Sequence, residues 1–217
     1  MTTAKEIVHL ARYGETLKRV MRSGWSLAGV NRARTESVAE HSYGTALLSL
    51  LISKELLMER ADIDLGKVTS MALFHDIPEA LTSDIPQTEL QLGGELLSSG
   101  KLEAEKDAIS VIAEISEDLK QWLESLWTEQ KSQPSLESRI VSCADVLDML
   151  VHVLTLEESG VSPAILDQFF VSSHDKLVQN RIKIAIEMFW ALYNEHNENA
   201  KRMGMTLKEL NHTLESS

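Results

Sequence analysis

Apolar residues recur at helical spacing along nearly the whole chain. Ile7, Leu10, Ala11, Leu17, Val20 and Met21 fit one face of a helix over residues 4–22, with Gly14 expected to divide it into two short pieces. Residues 26–35 are polar and irregular. Ser37 and Glu40 then stand at the spacing of a capping box, which predicts a helix opening at Val38. It continues to about Met58, and Ala46, Leu47, Leu50, Leu51 and Leu57 make it broadly apolar, as suits a central helix. Residues 60–64 form a short polar connection, and Leu65 to Phe74 forms a second apolar helix that leads back towards the start of the first. The arms are unequal, about 17 and 11 residues at ~1.5 Å each, so the two helices are expected to cross at an angle.

Gly93-Gly94 and Ser98-Ser99-Gly100 mark residues 87–100 as a loop that could serve as a lid. A helical stretch from about Lys101 to Gln130 follows, carrying Ile109, Ile112, Leu123, Leu126 and Trp127, with an interruption near Ser116. Pro134 suits a first-turn position and opens a helix to about Glu158, which Gly160 stops. Its stripe is Ile140, Val141, Ala144, Leu147, Leu150, Val151 and Leu154, interrupted by Asp145. A last helical stretch from about Ser162 to Asn199 carries Phe169, Phe170, Phe189, Trp190 and Tyr193 and is expected to break near Ser172-Ser173. No strand alternation, hairpin signal or internal repeat stands out. The pattern predicts an all-α helical bundle, with residues 1–217 as a single domain.

Composition agrees. Only 10 Gly and 4 Pro in 217 residues leave little material for turns, and the length suits one large domain. A net charge of -12 at pH 7, with no basic stretch large enough to offset it, argues against binding to polymeric nucleic acid. A small anionic substrate stays open if a metal supplies local positive charge. The single cysteine, Cys143, excludes an internal disulfide and suits a reducing compartment. No apolar run approaches ~18 residues and no leader peptide is visible, so a cytoplasmic protein away from membranes is expected.

The chemistry concentrates between Met71 and Pro86, where His75, Asp76, Glu79 and Asp84 follow an apolar helical run. Ile77 precedes a proline and is pushed out of the α region, so the helix should end just after the His-Asp pair. Glu79 and Asp84 would then lie on a turn able to fold back over the pair. Asp145, on an apolar helix, must be paired or metal-bound to avoid a desolvation cost of several kcal/mol. His41, in the first turns of its helix, completes a set of two imidazoles and two carboxylates from three apolar helices. His41, His75, Asp76 and Asp145 together suit Mn, Fe, Co or Zn in a catalytic site, since four protein ligands leave positions for water and substrate. A metal there would lower the pKa of water and polarise a phosphoryl oxygen. Glu79 is the candidate proton acceptor. The basic cluster Lys18, Arg19 and Arg22 is either a solvated face or, through Arg22, a partner for phosphate charge. Trp25 would pack a sugar or base, or else the core.

Four segments, Glu40-His41-Ser42, Phe74-His75-Asp76-Ile77-Pro78-Glu79, Thr82-Ser83-Asp84-Ile85-Pro86 and Cys143-Ala144-Asp145, resemble in order and spacing the HD-domain metal phosphohydrolases. Among these they look most like the 5'-deoxynucleotidases, which remove phosphate from deoxynucleoside monophosphates. The resemblance runs from about Leu17 to Glu158 and leaves residues 162–215 as a C-terminal helical region. It implies a metal held by His41, His75, Asp76 and Asp145, with Glu79 as a catalytic acid and Asp84 as the other catalytic candidate. It also implies a substrate-contacting turn at Asp84, Ile85, Pro86 and Gln87, and Trp25 lining a sugar pocket. Glu79 and Asp84 together match a site for an additional divalent ion such as Mg. The bacterial branch has Arg-Trp where this chain has Gly24-Trp25, and the segment from Leu17 to Trp25 looks closer to a branch with eukaryotic members. A homodimer is expected from the resemblance and from the aromatic-rich last helix. Other readings are hydrolysis of a nucleoside triphosphate, a cyclic nucleotide or an alarmone, or a regulatory nucleotide-binding module without turnover. Retention of Glu79 beside all four ligands argues against the last.

Overall fold

The computed structural model describes residues 2–31, 35–114, 116–207 and 210. Its elements are α1 (Ala4–Leu17), α2 (Ser23–Leu27), α3 (Val38–Met58), α4 (Leu65–Phe74), α5 (Glu79–Thr82), α6 (Gln87–Ala113), α7 (Glu117–Ser132), α8 (Leu136–Glu158), α9 (Pro163–Asn180) and α10 (Lys183–Arg202). The fold is all-α, as the periodicity predicts. Among the described residues, no helix is long and apolar enough to cross a membrane.

The helix that carries His41 starts where its sequence says it should. The Ser37 amide donates to Glu40 Oε2 at 2.7 Å and the Glu40 amide donates to Ser37 Oγ at 3.2 Å, so the box satisfies two otherwise orphaned donors. α4 is capped by Asp64, which accepts from the Lys67 amide at 3.0 Å. α3 buries Thr45, Ala46, Ser49 and Ser53, small residues that suit close packing, together with Ile52, and it packs on α8 and α4. α8 is the axis of the larger core: Ile140, Val141, Ala144, Leu147, Leu150 and Val153 are buried against side chains of α3, α4, α9 and α10. A smaller cluster joins Leu17, Val38, Ile77, Ile109, Ile112 and Leu123, and so binds α1, α6 and α7 to the start of α3.

Several expected boundaries move. Gly14 lies inside an unbroken α1, because a helical glycine costs only about 1 kcal/mol and the Thr3–Glu6 capping box and the burial of Leu17 offset it. Beyond Leu17 the chain leaves the helix, and Met21 forms an isolated antiparallel bridge with Ser37. Residues 87–100 form the first half of α6 rather than a loop. The direction changes at Gly94 alone, at φ 62° and ψ -155°, a conformation only glycine takes freely. Pro134 stands outside α8, whose cap is Ser135 accepting from the Ser138 amide at 3.1 Å. Ser173 does not break the last stretch, since its hydroxyl donates back to the Phe169 carbonyl at 2.6 Å within a continuous α9. The break comes at Arg181, at φ 55°. The interruption at Ser116 and the stop at Gly160 stand where expected.

Candidate metal centre

Two helix ends and one helix middle supply the predicted ligands. His41 is the fourth residue of α3, His75 caps the C-terminus of α4, Asp76 follows it, and Asp145 lies midway along α8. His41 is fully buried, with Nε2 3.1 Å from Asp145 Oδ1 and 3.9 Å from Asp76 Oδ2. His75 Nδ1 donates to the Ala72 carbonyl at 2.8 Å, within its own helix, so in the neutral ring Nε2 is the acceptor. That Nε2 is buried and makes no hydrogen bond, although Asp76 Oδ2 lies 3.1 Å away. The His41 and His75 rings stand 5.3 Å apart at 66°. Ligand atoms of His41, His75 and Asp145 all lie within 4.8 Å of one another.

A lone-pair nitrogen facing carboxylates without a shared proton is unfavourable unless a cation sits among them. Two imidazoles and two carboxylates are also a donor set that suits a divalent ion of borderline softness. The residues present therefore fit a divalent metal.

The HD domain pattern matches residues 14–209. The chain belongs to the HD domain family. It is 32% identical over 163 residues to a protein of Danio rerio named 5'-deoxynucleotidase HDDC2, covering 74% of each chain. To the Homo sapiens protein of the same name it is 28% identical over 182 residues, covering 81% of this chain and 83% of the other. A conserved hypothetical protein from Pyrococcus furiosus superposes with a TM-score of 0.71 at 30% identity, covering 86% of this chain and 99% of the other.

Charge in this HD domain is arranged in layers. Burial and the neighbouring Arg22 press the His41 pKa down, but its contacts with Asp145 and Asp148 outweigh them and lift it to about 9. Asp145 and Asp76 are both held well below the usual carboxylate range. Burial would raise each, but Lys176 with the two histidines overcomes it for Asp145, and His75, His41 and Arg22 do so for Asp76. Arg22 is largely buried with Nη1 3.6 Å from Asp76 Oδ2, and stays firmly charged because Asp76, Asp145, Glu36 and Asp84 outweigh its desolvation.

Glu79 is shut away from solvent. It opens α5 on the predicted turn but is only 3% exposed, and its Oε2 has no hydrogen-bond partner. Burial, then Asp76 and Asp84, push its pKa well above the usual glutamate value, against the pull of Lys101 and Arg22. Asp84 Oδ2 accepts from the Ser23 amide at 2.5 Å and the Ser23 hydroxyl at 2.7 Å, tying this turn to α2. Ile85 offers its carbonyl to Lys101 Nζ at 3.0 Å and Pro86 is buried, while the side chain of Gln87 lies outside the described residues. Trp25 is buried, donates Nε1 to Glu36 Oε1 at 3.2 Å, and packs 4.7 Å from Phe169 and 5.0 Å from His152. Its ring is part of the larger core.

The sequence reading missed the charged residues that surround these. Lys101 Nζ approaches Glu105 Oε1 at 3.5 Å as well as Glu79, and Lys131 holds the other Glu105 oxygen at 2.7 Å. Lys176 of α9 reaches Asp145 Oδ2 at 3.6 Å, and Asp148 Oδ2 lies 2.8 Å from His41 Nδ1. Only Asp148 left a usable trace: it stands three residues beyond Asp145, on the same face of a helix already assigned.

Proposed function

We infer that this protein is a metal-dependent phosphomonoesterase of the 5'-deoxynucleotidase kind, releasing phosphate from deoxynucleoside 5'-monophosphates. The observation that carries the reading is the convergence of His41 Nε2, the orphaned His75 Nε2 and Asp145 beside a buried, permanently charged arginine. Relatives over most of the chain carry the name 5'-deoxynucleotidase, which gives the substrate class. A divalent cation held by His41, His75, Asp76 and Asp145 would supply a Lewis acid for the phosphoryl oxygen and a water of lowered pKa.

The chain's own residues carry the rest. Arg22 offers a fixed cation to a phosphate that enters over Asp76, where an uncompensated dianion would be repelled by Asp76, Asp145 and Asp84. Glu79, its pKa raised by burial and the neighbouring acids, is poised to take a proton from the attacking water or give one to the departing 5'-oxygen. The turn at Asp84, Ile85 and Pro86, pinned by Ser23 and Lys101, forms the wall beside it. The unpartnered Glu79 Oε2 next to Asp84 favours a second role for this pair, the holding of an additional ion such as Mg.

A homodimer and a cytoplasmic setting belong to the same reading. The aromatics of α10 are buried in their own core, so the apolar surface for a second copy comes instead from α3, through Tyr43 (69% exposed), Leu47, Leu51 and Met58 (70% exposed). Cys143 is a buried free thiol, in keeping with a reducing compartment.

The deciding test is phosphate release with added Mn, Co or Mg across deoxyribonucleoside and ribonucleoside 5'-monophosphates, triphosphates and cyclic nucleotides. Release from the deoxynucleoside 5'-monophosphates is expected. Turnover confined to triphosphates or cyclic nucleotides, or no turnover with any metal, would overturn the assignment.

A further inference from the structure

His41 is held from both sides. Its Nε2 faces Asp145 and Asp76, and its Nδ1 lies 2.8 Å from Asp148 Oδ2 on the opposite edge of the ring. An ionised carboxylate can only accept, so a neutral imidazole paired with it carries its hydrogen on Nδ1 and presents the Nε2 lone pair outward. The Asp148 side chain is 14% exposed and reaches this position through a gap in α3. The gap is Gly44, one turn beyond His41: a Cβ placed there would lie 1.8 Å from Asp148 Oδ1 and 2.5 Å from its Cγ. No ordinary contact tolerates that distance, and Asp148 is too short to keep its hold on Nδ1 while moving clear.

We propose that Asp148 is a positioning residue that fixes the ring and tautomer of His41 for the metal, and that Gly44 is the notch in α3 that admits its carboxylate. This rests on the metal-centre reading above. The hydrogen bond on the remote ring nitrogen raises the basicity of the ligating one and removes the rotational freedom metal binding would otherwise have to quench. Glu36 also lies near His41 and Asp148, close enough for the three to be considered as ligands of a separate ion. Its Oε1 is engaged, however, by Trp25 Nε1 at 3.2 Å, and its Oε2 lies 3.8 Å from His152 Nδ1. That leaves Asp148 as a hydrogen-bond partner of His41.

The test measures Co(II) affinity by chelator competition, with stoichiometry and the visible Co(II) spectrum, in the full-length protein and in Gly44→Ala, Asp148→Ala, Asp148→Asn, the Gly44→Ala/Asp148→Ala double variant and His75→Ala. Gly44→Ala and Asp148→Ala are each expected to weaken Co(II) binding by roughly 10- to 100-fold. Asp148→Asn, whose amide oxygen still accepts from Nδ1, should fall between Asp148→Ala and wild type. The double variant should be no weaker than Asp148→Ala, because Gly44 acts only through Asp148. Metal-free Gly44→Ala should keep its helical circular dichroism and a cooperative melt, and the double variant, free of the clash, should melt at or above Asp148→Ala because alanine favours a helix interior over glycine, which separates lost positioning from lost fold. Wild-type affinity in Asp148→Ala, additive losses in the double variant, or loss of one ion from a stoichiometry of two at unchanged affinity for the other would each overturn the proposal. Failure of the metal-centre reading looks different: the wild-type protein itself binds no Co(II), or His75→Ala binds as wild type does.

Discussion

Lys101 Nζ stands 3.7 Å from Glu79 Oε1, a cation from α6 facing the buried acid that opens α5. Asp76 and Asp84 push the Glu79 pKa up while Lys101 pulls it down, so Lys101 limits how far that pKa rises. Lys101→Met should shift the Glu79-dependent limb of the kcat/KM profile to higher pH, whereas Lys101→Arg should leave it near its original place. Profiles recorded at saturating metal decide this, and an unmoved limb in Lys101→Met would detach Lys101 from the acid.

Glu79→Gln keeps the size of a buried side chain and removes its ionisable proton. Turnover should fall by roughly 100-fold or more while the metal on the two histidines and two aspartates stays bound. Should Glu79 serve chiefly to hold an additional ion, activity will partly return at raised magnesium.

The same substitution has a stability consequence with a definite sign. In the folded protein Glu79 binds its proton more tightly than in the unfolded chain, where its pKa is near 4.5. The folded state of metal-free wild type therefore loses stability as pH rises above that value towards the raised folded pKa. Metal-free Glu79→Gln escapes this loss and should melt at or above wild type at neutral pH, with the two curves converging below pH 4.5. A Gln variant that melts lower at neutral pH would mean the acid is paired rather than stranded.

Metal uptake should depend on pH through His41. Its folded pKa of about 9 exceeds the ordinary 6.5, so its protonated form stabilises the metal-free protein fully below 6.5, and that contribution is lost as pH rises through about 9. A metal must displace this proton, so affinity should climb across the same interval with release of about one proton per ion at neutral pH. Calorimetric titration in buffers of different ionisation enthalpy counts the proton directly. Uptake without proton release would show that His41 is neutral before the metal arrives.

His75→Ala and Asp145→Ala should each abolish bound metal and leave the helical circular dichroism largely intact. The α4 turn at Ala72 loses one side-chain bond, and α8 retains its buried stripe. Full metal occupancy in either variant would remove that residue from the ligand set.

Sedimentation at micromolar concentration should show a dimer, and Leu51→Lys on the exposed face of α3 should shift it towards monomer. A wild-type monomer across that range would discard the dimer.

Local rules with a mechanism were readable from sequence. The Ser37–Glu40 box and the Gly160 stop each act over a few residues, so neighbouring sequence determines them. The misplaced boundaries were competitions that local composition cannot settle: Gly93-Gly94 reads as a loop, yet Gly94 alone turns the chain within α6. His41, His75, Asp76 and Asp145 were legible because their side chains make no sense on apolar helices without a shared partner. Lys101 was not, because it was read as the first residue of a helix and, although Glu105 lies one turn on, Glu79 meets it only through packing. The burial of Glu79 was hidden for a related reason, since a charged residue after a proline looks exposed until α1 and α6 close over α5.

The small bridge at Met21 and Ser37 bears on how this protein can diversify. The Arg22 amide donates to the Glu36 carbonyl at 3.0 Å and the Val38 amide to the Val20 carbonyl at 2.8 Å, so the backbone beside the arginine is tied to the first turn of the helix bearing His41. The arginine proposed for the substrate and the imidazole proposed for the metal thus share one frame. A change of length between the two halves of this frame can therefore be absorbed without altering the spacing of arginine and imidazole.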